Sequence, residues 1–357
     1  MNGFNNTQGV VRIIHSIPCN RLIYCVDGFP YSSATLERLP TSTLLQSSRS
    51  YAIDSSPHLL YCSSDLVSCL ANTRLSTYLE FKALEHICIF QRNHTSQGEM
   101  TLEKVPSSRE DVFTSTLSLR EKRNLMKFLT NAVKTESIGS PSYISGVDVR
   151  EEYSETMTLD QLLSSPEYNL PQPLRNVIQY AIALSPTPEI PVSEALPAIK
   201  RHLTGFGVYG QFPIIVPLFG GGGELSQAFC RAAAVKGATY ILGREIKQIS
   251  RDTTNAHQFK VDFNVAPEDE LASVRSRHIV RPASRIGDYE DSTRRIAVFD
   301  EVFGELFRVD GTHVDAALIV VPPGTVRQEQ LMPIQIIVHG GGIGECPVGQ
   351  CTLHLTC

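Results

Sequence analysis

The stretch with the most chemical promise is Gly220 to Gly223, a glycine run between the apolar segment Ile214 to Phe219 and a helix-forming segment, Glu224 to Val235. A strand, a glycine-rich turn and a helix N-terminus is how backbone amides cradle a phosphate. Here the turn is followed by Glu224, whose carboxylate suits the helix dipole but would repel phosphate, and the Gly-Lys-Ser/Thr ending of a P-loop is absent. Residue chemistry alone therefore favours a tight turn with close helix-to-sheet packing. Along the helix Glu224, Gln227 and Arg231 stand at i, i+3 and i+7, a polar stripe opposite Leu225 and Phe229. Taken alone, such a stripe reads as a solvated face.

Other chemistry is harder to find. Neither H-E-x-x-H nor G-x-S-x-G occurs, and the ten histidines are scattered without metal-ligand spacing. His339, directly before Gly340 and Gly341, is expected at a strand end. A dinucleotide site needs a G-x-G-x-x-G turn after a first strand, and none lies near the N-terminus. The late run Gly340 to Gly344 leads into Glu345, Cys346 and Pro347, which do not start a helix. No cofactor and no metal is expected, and no catalytic set stands out.

A chain of 357 residues is long enough for two domains. Apolar content of 42% and charged content of 19% fit a folded globular protein. A net charge of -5, with no dense Lys/Arg run, argues against nucleic acid as a partner. Nine cysteines without a C-x-x-C pair read as reduced, mostly buried thiols. No apolar run approaches the ~20 residues that span a bilayer, and Met1 to Val10 lacks the features of a secretion signal, so a cytoplasmic protein is expected.

A strand is expected at Leu22 to Val26 before a Gly28/Pro30 turn, a helix at Asp65 to Tyr78 and a strand at Leu84 to Phe90. From about Val105 to Phe206 the pattern is helical. Ser118 with Glu121, and Thr158 with Gln161, are capping-box signals. The helix after Ser118 sets Leu125, Met126, Leu129 and Val133 on one face; later stripes are Leu174, Val177, Ile178 and Ile182, then Leu196, Ile199 and Leu203. Strand and helix alternation then returns, with strands expected at Thr239 to Leu242, Ala316 to Val321 and Gln335 to Val338. The pattern implies a discontinuous α/β domain wrapped around an all-helical insert: residues 1–105 and 212–357 in the first, 106–211 in the second.

Three separated stretches are similar to the family of Rab GDP dissociation inhibitors and Rab escort proteins. They are Tyr51-Ala-Ile-Asp54-Ser-Ser-Pro57 continuing through Arg74 to Lys82; Lys104 to Phe113 leading to Glu121-Lys-Arg123 and Met126 to Leu129; and Gly223-Glu-Leu-Ser-Gln-Ala-Phe-Cys-Arg231, ending at Tyr240. Gly344-Glu-Cys-Pro-Val-Gly-Gln350 also resembles the fungal escort branch. The resemblance implies a flavoprotein-like, Rossmann-type domain that binds no flavin, interrupted by a helical domain, and a non-catalytic accessory role. It implies that Glu224, Gln227, Arg231 and Tyr240 form a platform for GDP-bound Rab GTPases. The helical domain would hold a geranylgeranyl lipid, with Leu125, Met126 and Leu129 as candidates.

Within the family, Phe113 and Arg123 resemble the escort branch, where such a pair docks on the catalytic heterodimer of Rab geranylgeranyltransferase. A dissociation inhibitor that recycles prenylated Rabs is the alternative, and a flavin-dependent oxidoreductase on the same fold a third. The resemblance further implies transient membrane contact. The chain departs from the family pattern at Asp27-Gly-Phe-Pro-Tyr31-Ser32-Ser33, where Ser32 replaces a platform tyrosine, and it lacks the family's first glycine-turn unit. It is expected to be truncated at both ends relative to the family.

Overall fold

The computed structural model describes residues 12–13, 48–54, 57–92, 100–106, 117–134, 157–242, 244–251, 259–265, 272–280, 294–299, 308–309 and 312–356. The strand expected at Leu22 to Val26, the Asp27 to Ser33 departure and Phe113 lie outside them. Two compact units divide the chain. One comprises Met1–Ile17, Ala34–Phe229 and Thr293–Cys357; the other comprises Pro18–Ser33 and Cys230–Ser292.

In the first unit the strands are β1 (Arg12–Ile13), β2 (Leu60–Tyr61), β3 (Phe81–Ala83), β4 (His86–Arg92), β5 (Met100–Lys104) and β6 (Ile214–Pro217). The second unit contributes β7 (Ile246–Arg251), β8 (Phe259–Phe263) and β9 (Ser273–Ser276). The first unit then resumes with β10 (Arg294–Phe299), β11 (Arg308–Val309), β12 (Thr312–His313), β13 (Ala316–Val321), β14 (Ile334–Gly340) and β15 (Cys351–Thr356). Among the described residues its main sheet has the order β1-β10-β15-β14-β13-β4-β5, and a three-stranded sheet has the order β2-β6-β3. β13 runs parallel to β4, with Ala317 opposite His86, and antiparallel to β14. The second unit's strands form an antiparallel β7-β8-β9 sheet.

Strand β13, Ala-Ala-Leu-Ile-Val-Val, is buried along nearly its whole length, and its period of two feeds two cores. Ala316, Leu318 and Val320 join Ile89, Ile214, Val216 and Ile343 on one face, while Ala317 joins Val338, Cys351 and Leu353 on the other.

The helices are α1 (Asp65–Asn72), α2 (Leu119–Lys134), α3 (Leu159–Ser164), α4 (Gln172–Asn176, running into a π-helical stretch Val177–Ile182), α5 (Val192–Gly205) and α6 (Gly222–Val235). Both capping boxes form. Glu121 N–H donates to Ser118 Oγ at 3.3 Å and Ser118 N–H to the Glu121 carboxylate at 2.8 Å, and Thr158 and Gln161 exchange the same pair of bonds. Helices α2 to α5 lie in the chain between β5 and β6 and share a core of Leu125, Phe128, Leu159, Leu163, Ile178, Ile199 and their neighbours. The π-helical stretch is buried all round, with Ile178 in the helical core and Tyr180 and Ala181 in the sheet core. Its one buried amide, Gln179, donates to the carbonyl of Pro188 at 2.6 Å, which satisfies a group that would be costly to bury alone.

Several local expectations need correcting. α2 buries Leu125, Phe128 and Ala132, while Val133 is 40% exposed, because the seam follows i, i+3 and i+7. α1 ends at Asn72, a short 3₁₀ turn, Leu75–Tyr78, follows, and Val67 with Leu70 is the buried pair, Leu66 being exposed. Thr239 to Leu242 is not a strand; Tyr240 and Leu242 are exposed there.

Candidate functional site

Three stretches far apart in sequence meet at the start of α6. Asp54 is buried, and its Oδ2 accepts the Gly222 N–H at 2.8 Å. The first amides of a helix have no partner within it, so a buried carboxylate there satisfies a donor and complements the dipole. This carboxylate sits where a phosphate would have to bind, which gives the glycine run its structural role. Gly221 has φ +59, and a Cβ on it would run into the Asp54 carboxylate, so only glycine fits.

Asp54 is itself held from the other side. Its N–H donates to Glu345 Oε1 at 3.2 Å, Ala52 N–H donates to the Glu345 carbonyl at 3.0 Å, and Tyr51 OH donates to Gln350 Oε1 at 2.6 Å. Residues 51–54, 219–222 and 343–350 thus form one mount for the helix. Phe219 N–H donating to the Ile343 carbonyl at 2.9 Å closes it.

Glu345 is almost wholly buried between two histidines. Its Oε2 accepts from His354 Nε2 at 2.9 Å and from Thr352 Oγ1 at 2.7 Å, and its Oε1 lies 3.1 Å from His339 Nδ1, without hydrogen-bond geometry. Burial by itself would raise this carboxyl's pKa, but His339 and His354 outweigh it and hold the group well below the usual carboxylate range. Sequence spacing gave no hint of the cluster. Antiparallel pairing of β14 with β15, which sets Ile337 opposite His354 and His339 opposite Thr352, brings the two histidines to adjacent rows. The three donor atoms are close enough for a metal ion. A metal-ligating histidine is ordinarily oriented by a hydrogen bond at its other ring nitrogen, and His354 Nδ1 and both nitrogens of His339 have no such partner among the described residues. The cluster is therefore read as a hydrogen-bonded support for residues 51–54.

On α6, Glu224 is half-buried and Gln227 and Arg231 are exposed. The buried seam is narrow, with Ala228 at 4% exposure between half-buried Leu225 and Ala232. Phe229, expected to face inward, is 41% exposed, because it falls about 70° beyond the centre of that seam. The boundary between the two units falls inside this helix, after Phe229. In the second unit Tyr240 is exposed and its hydroxyl donates to the Cys230 carbonyl at 3.1 Å; its pKa is raised, chiefly by the neighbouring Cys230 side chain. In the helical layer Arg123 is exposed, Leu125 is buried in the core, Leu129 packs against it and Met126 is half-buried. A cleft of about 540 Å³ in this layer is lined by Asp160, Gln161, Gln172 and Glu189 together with Tyr180 and Pro188, a mixed polar and apolar lining. Among the described residues no helix is long and apolar enough to cross a membrane.

Residues 31–303 match the model of the GDP dissociation inhibitor family, and the chain belongs to that family. It is 31% identical over 325 residues to a Saccharomyces cerevisiae protein named Rab proteins geranylgeranyltransferase component A, covering 89% of this chain and 50% of that protein. Its identity to the Candida albicans protein of the same name is also 31%, covering 85% and 46%, and to Rab escort protein 1 of Arabidopsis thaliana 27%, covering 91% and 61%. The chain spans about half the length of these Saccharomyces and Candida relatives. Among solved structures, the crystal structure of Rab GDI from Plasmodium falciparum superposes with a TM-score of 0.62 at 18% identity, covering 87% of this chain and 67% of that one. The α/β fold expected from the sequence is thus the fold of this family.

Proposed function

We propose that the chain is the Rab-binding part of an escort protein: a non-catalytic accessory component that binds GDP-bound Rab GTPases, presents them to Rab geranylgeranyltransferase and delivers the prenylated product to membranes. The observation that carries this reading is α6. Its first turn is capped by Asp54, which Glu345 holds in turn, while Gln227 and Arg231 are exposed and Glu224 is half-buried. A rigidly mounted helix with an outward polar stripe is what a preorganised protein-binding platform requires. The names of the fungal relatives supply the partner. The proposed contacts are Glu224, Gln227, Arg231 and Tyr240, meeting switch segments that reorganise when the γ-phosphate is present. The test is affinity for one Rab loaded with GDP or with a non-hydrolysable GTP analogue. Preference for the GDP form is expected; equal affinities would remove the platform assignment.

The transferase contact is assigned to Phe113 and Arg123, the prenyl chain to the helical layer around Met126 and Leu129, beside Leu125. The protein is placed in the cytoplasm with transient membrane association. A Rab GDP dissociation inhibitor is the second reading, after the description of the family model that residues 31–303 match. Phe113→Ala separates the two: in an escort protein it abolishes support of Rab prenylation by the catalytic heterodimer while Rab affinity stays nearly unchanged, since sites without shared partners act independently. Normal prenylation by the mutant would favour the dissociation inhibitor.

A further inference from the structure

Phe219 is the residue of the α6 mount that the fold itself accounts for least. Its φ is +57, the left-handed region that bulky L-residues occupy only under constraint, and the next residues, Gly220 and Gly221, take positive φ freely. Glycine at 219 would relieve the backbone. The phenylalanine is nevertheless 56% exposed, so its ring recovers less than half of the burial available to it. Two contacts fix its position: its N–H donates to the Ile343 carbonyl, and one side of the ring lies on Gly344, where an added Cβ would come within 2.5 Å of it. The ring is therefore held three residues before α6, and half of it remains uncovered.

We propose that Phe219 is a further partner-contact residue, an aromatic anchor that the left-handed turn presents to the apolar side of the GTPase switch surface beside the Glu224 end of the platform. The inference rests on the reading of α6 as that platform. Strain retained at an exposed aromatic, next to a polar stripe on a fixed helix, is the arrangement of an interface anchor surrounded by polar contacts.

The experiment uses the full chain and one GDP-loaded Rab, with affinity and melting temperature measured together for Phe219→Gly, Phe219→Tyr and Arg231→Ala. Glycine keeps the positive φ and removes the ring. The expected result is a tenfold or greater loss of affinity for Phe219→Gly with an unchanged or raised melting temperature, and affinity within twofold for Phe219→Tyr. A melting temperature several degrees lower for Phe219→Gly assigns the ring to packing on Gly344 and overturns the proposal, as does unchanged affinity. Arg231→Ala separates the two levels. If it weakens binding and Phe219→Gly does not, the anchor fails and the platform stands; if neither changes affinity, or the unaltered chain does not bind, both fail.

Discussion

Helices α2 and α6 are similar in length, with 16 and 14 residues, yet they are built into the protein differently. α2 places Leu125, Phe128 and Ala132 in a closed core, with Phe128 edge-on to Tyr168 at 5.3 Å between ring centroids. α6 fully buries Ala228 alone among its described residues and leaves Phe229 and Val235 exposed. The side chains of α2 are accounted for by the fold. α6 is instead held by its capped first turn and by a narrow seam, with Leu225 packed against Leu60, Cys62, Val67 and Ile215, and most of its other side chains are exposed.

The contrast breaks first at Phe128. Phe128→Ala removes a 1% exposed ring from a packed core and should cost about 3–5 kcal/mol in denaturant unfolding. A loss below about 1 kcal/mol would mean that the helical core is looser than its burial implies.

A second effect of nearly that size depends on pH. His202 on α5 packs between Tyr61 and Phe206, and burial, with Arg201 beside it, pushes its pKa down to about 4. The unfolded chain binds this proton near pH 6.5, so stability is intact above that value and falls as pH drops from about 6.5 towards about 4, by roughly 3 kcal/mol in all. Urea midpoints at pH 7 and at about pH 4 measure it, and His202→Phe should flatten that part of the profile. An unchanged slope in the variant would assign the acid sensitivity to the carboxylates.

These two residues also show where the sequence was legible. The helical layer could be read because its signals are local: capping pairs three residues apart and stripes at 3.6-residue spacing each declare a helix and its inner face. The polar stripe of α6 was visible for the same reason. Its mount was not. Asp54 and Gly222 are 168 residues apart, and Asp54 and Glu345 are 291 apart. Nothing in either neighbourhood states that a carboxylate will cap a glycine-rich helix start or that two histidines will enclose another. The enclosure of Glu345 by the two histidines follows from the β14–β15 register, a property of the whole sheet, and the Asp54 contacts join segments that no local pattern relates. Phe229 was misplaced because a face with one alanine at its centre is too narrow for periodicity to locate.

Arg231→Ala is the reverse of Phe128→Ala. At an exposed position, stability should stay within about 0.5 kcal/mol, while affinity for GDP-loaded Rab should fall by about 1–3 kcal/mol through loss of charge-assisted hydrogen bonds. Calorimetric binding and thermal unfolding of the same preparation separate the two. A stability loss as large as the binding loss would place Arg231 among structural residues and close the gap between the two helices.

The smallest effect makes the sharpest comparison, because it repeats the substitution made in α2. Phe229→Ala deletes the same ring from a position 41% exposed, where it lies to one side of the Ala228 seam. Full burial of such a side chain contributes about 1.5–3 kcal/mol, and partial burial a corresponding fraction, with little cavity term because solvent fills the space left. The expected cost is about 1 kcal/mol, a third or less of that at Phe128, measured by urea unfolding with the m-value unchanged. If Phe229→Ala instead matched Phe128→Ala, the ring would be covered in solution, and α6 would be a core helix like α2. The two variants together therefore decide whether the Phe229 side of α6, which lies opposite the Glu224, Gln227 and Arg231 stripe, is closed over in the fold as the Phe128 side of α2 is.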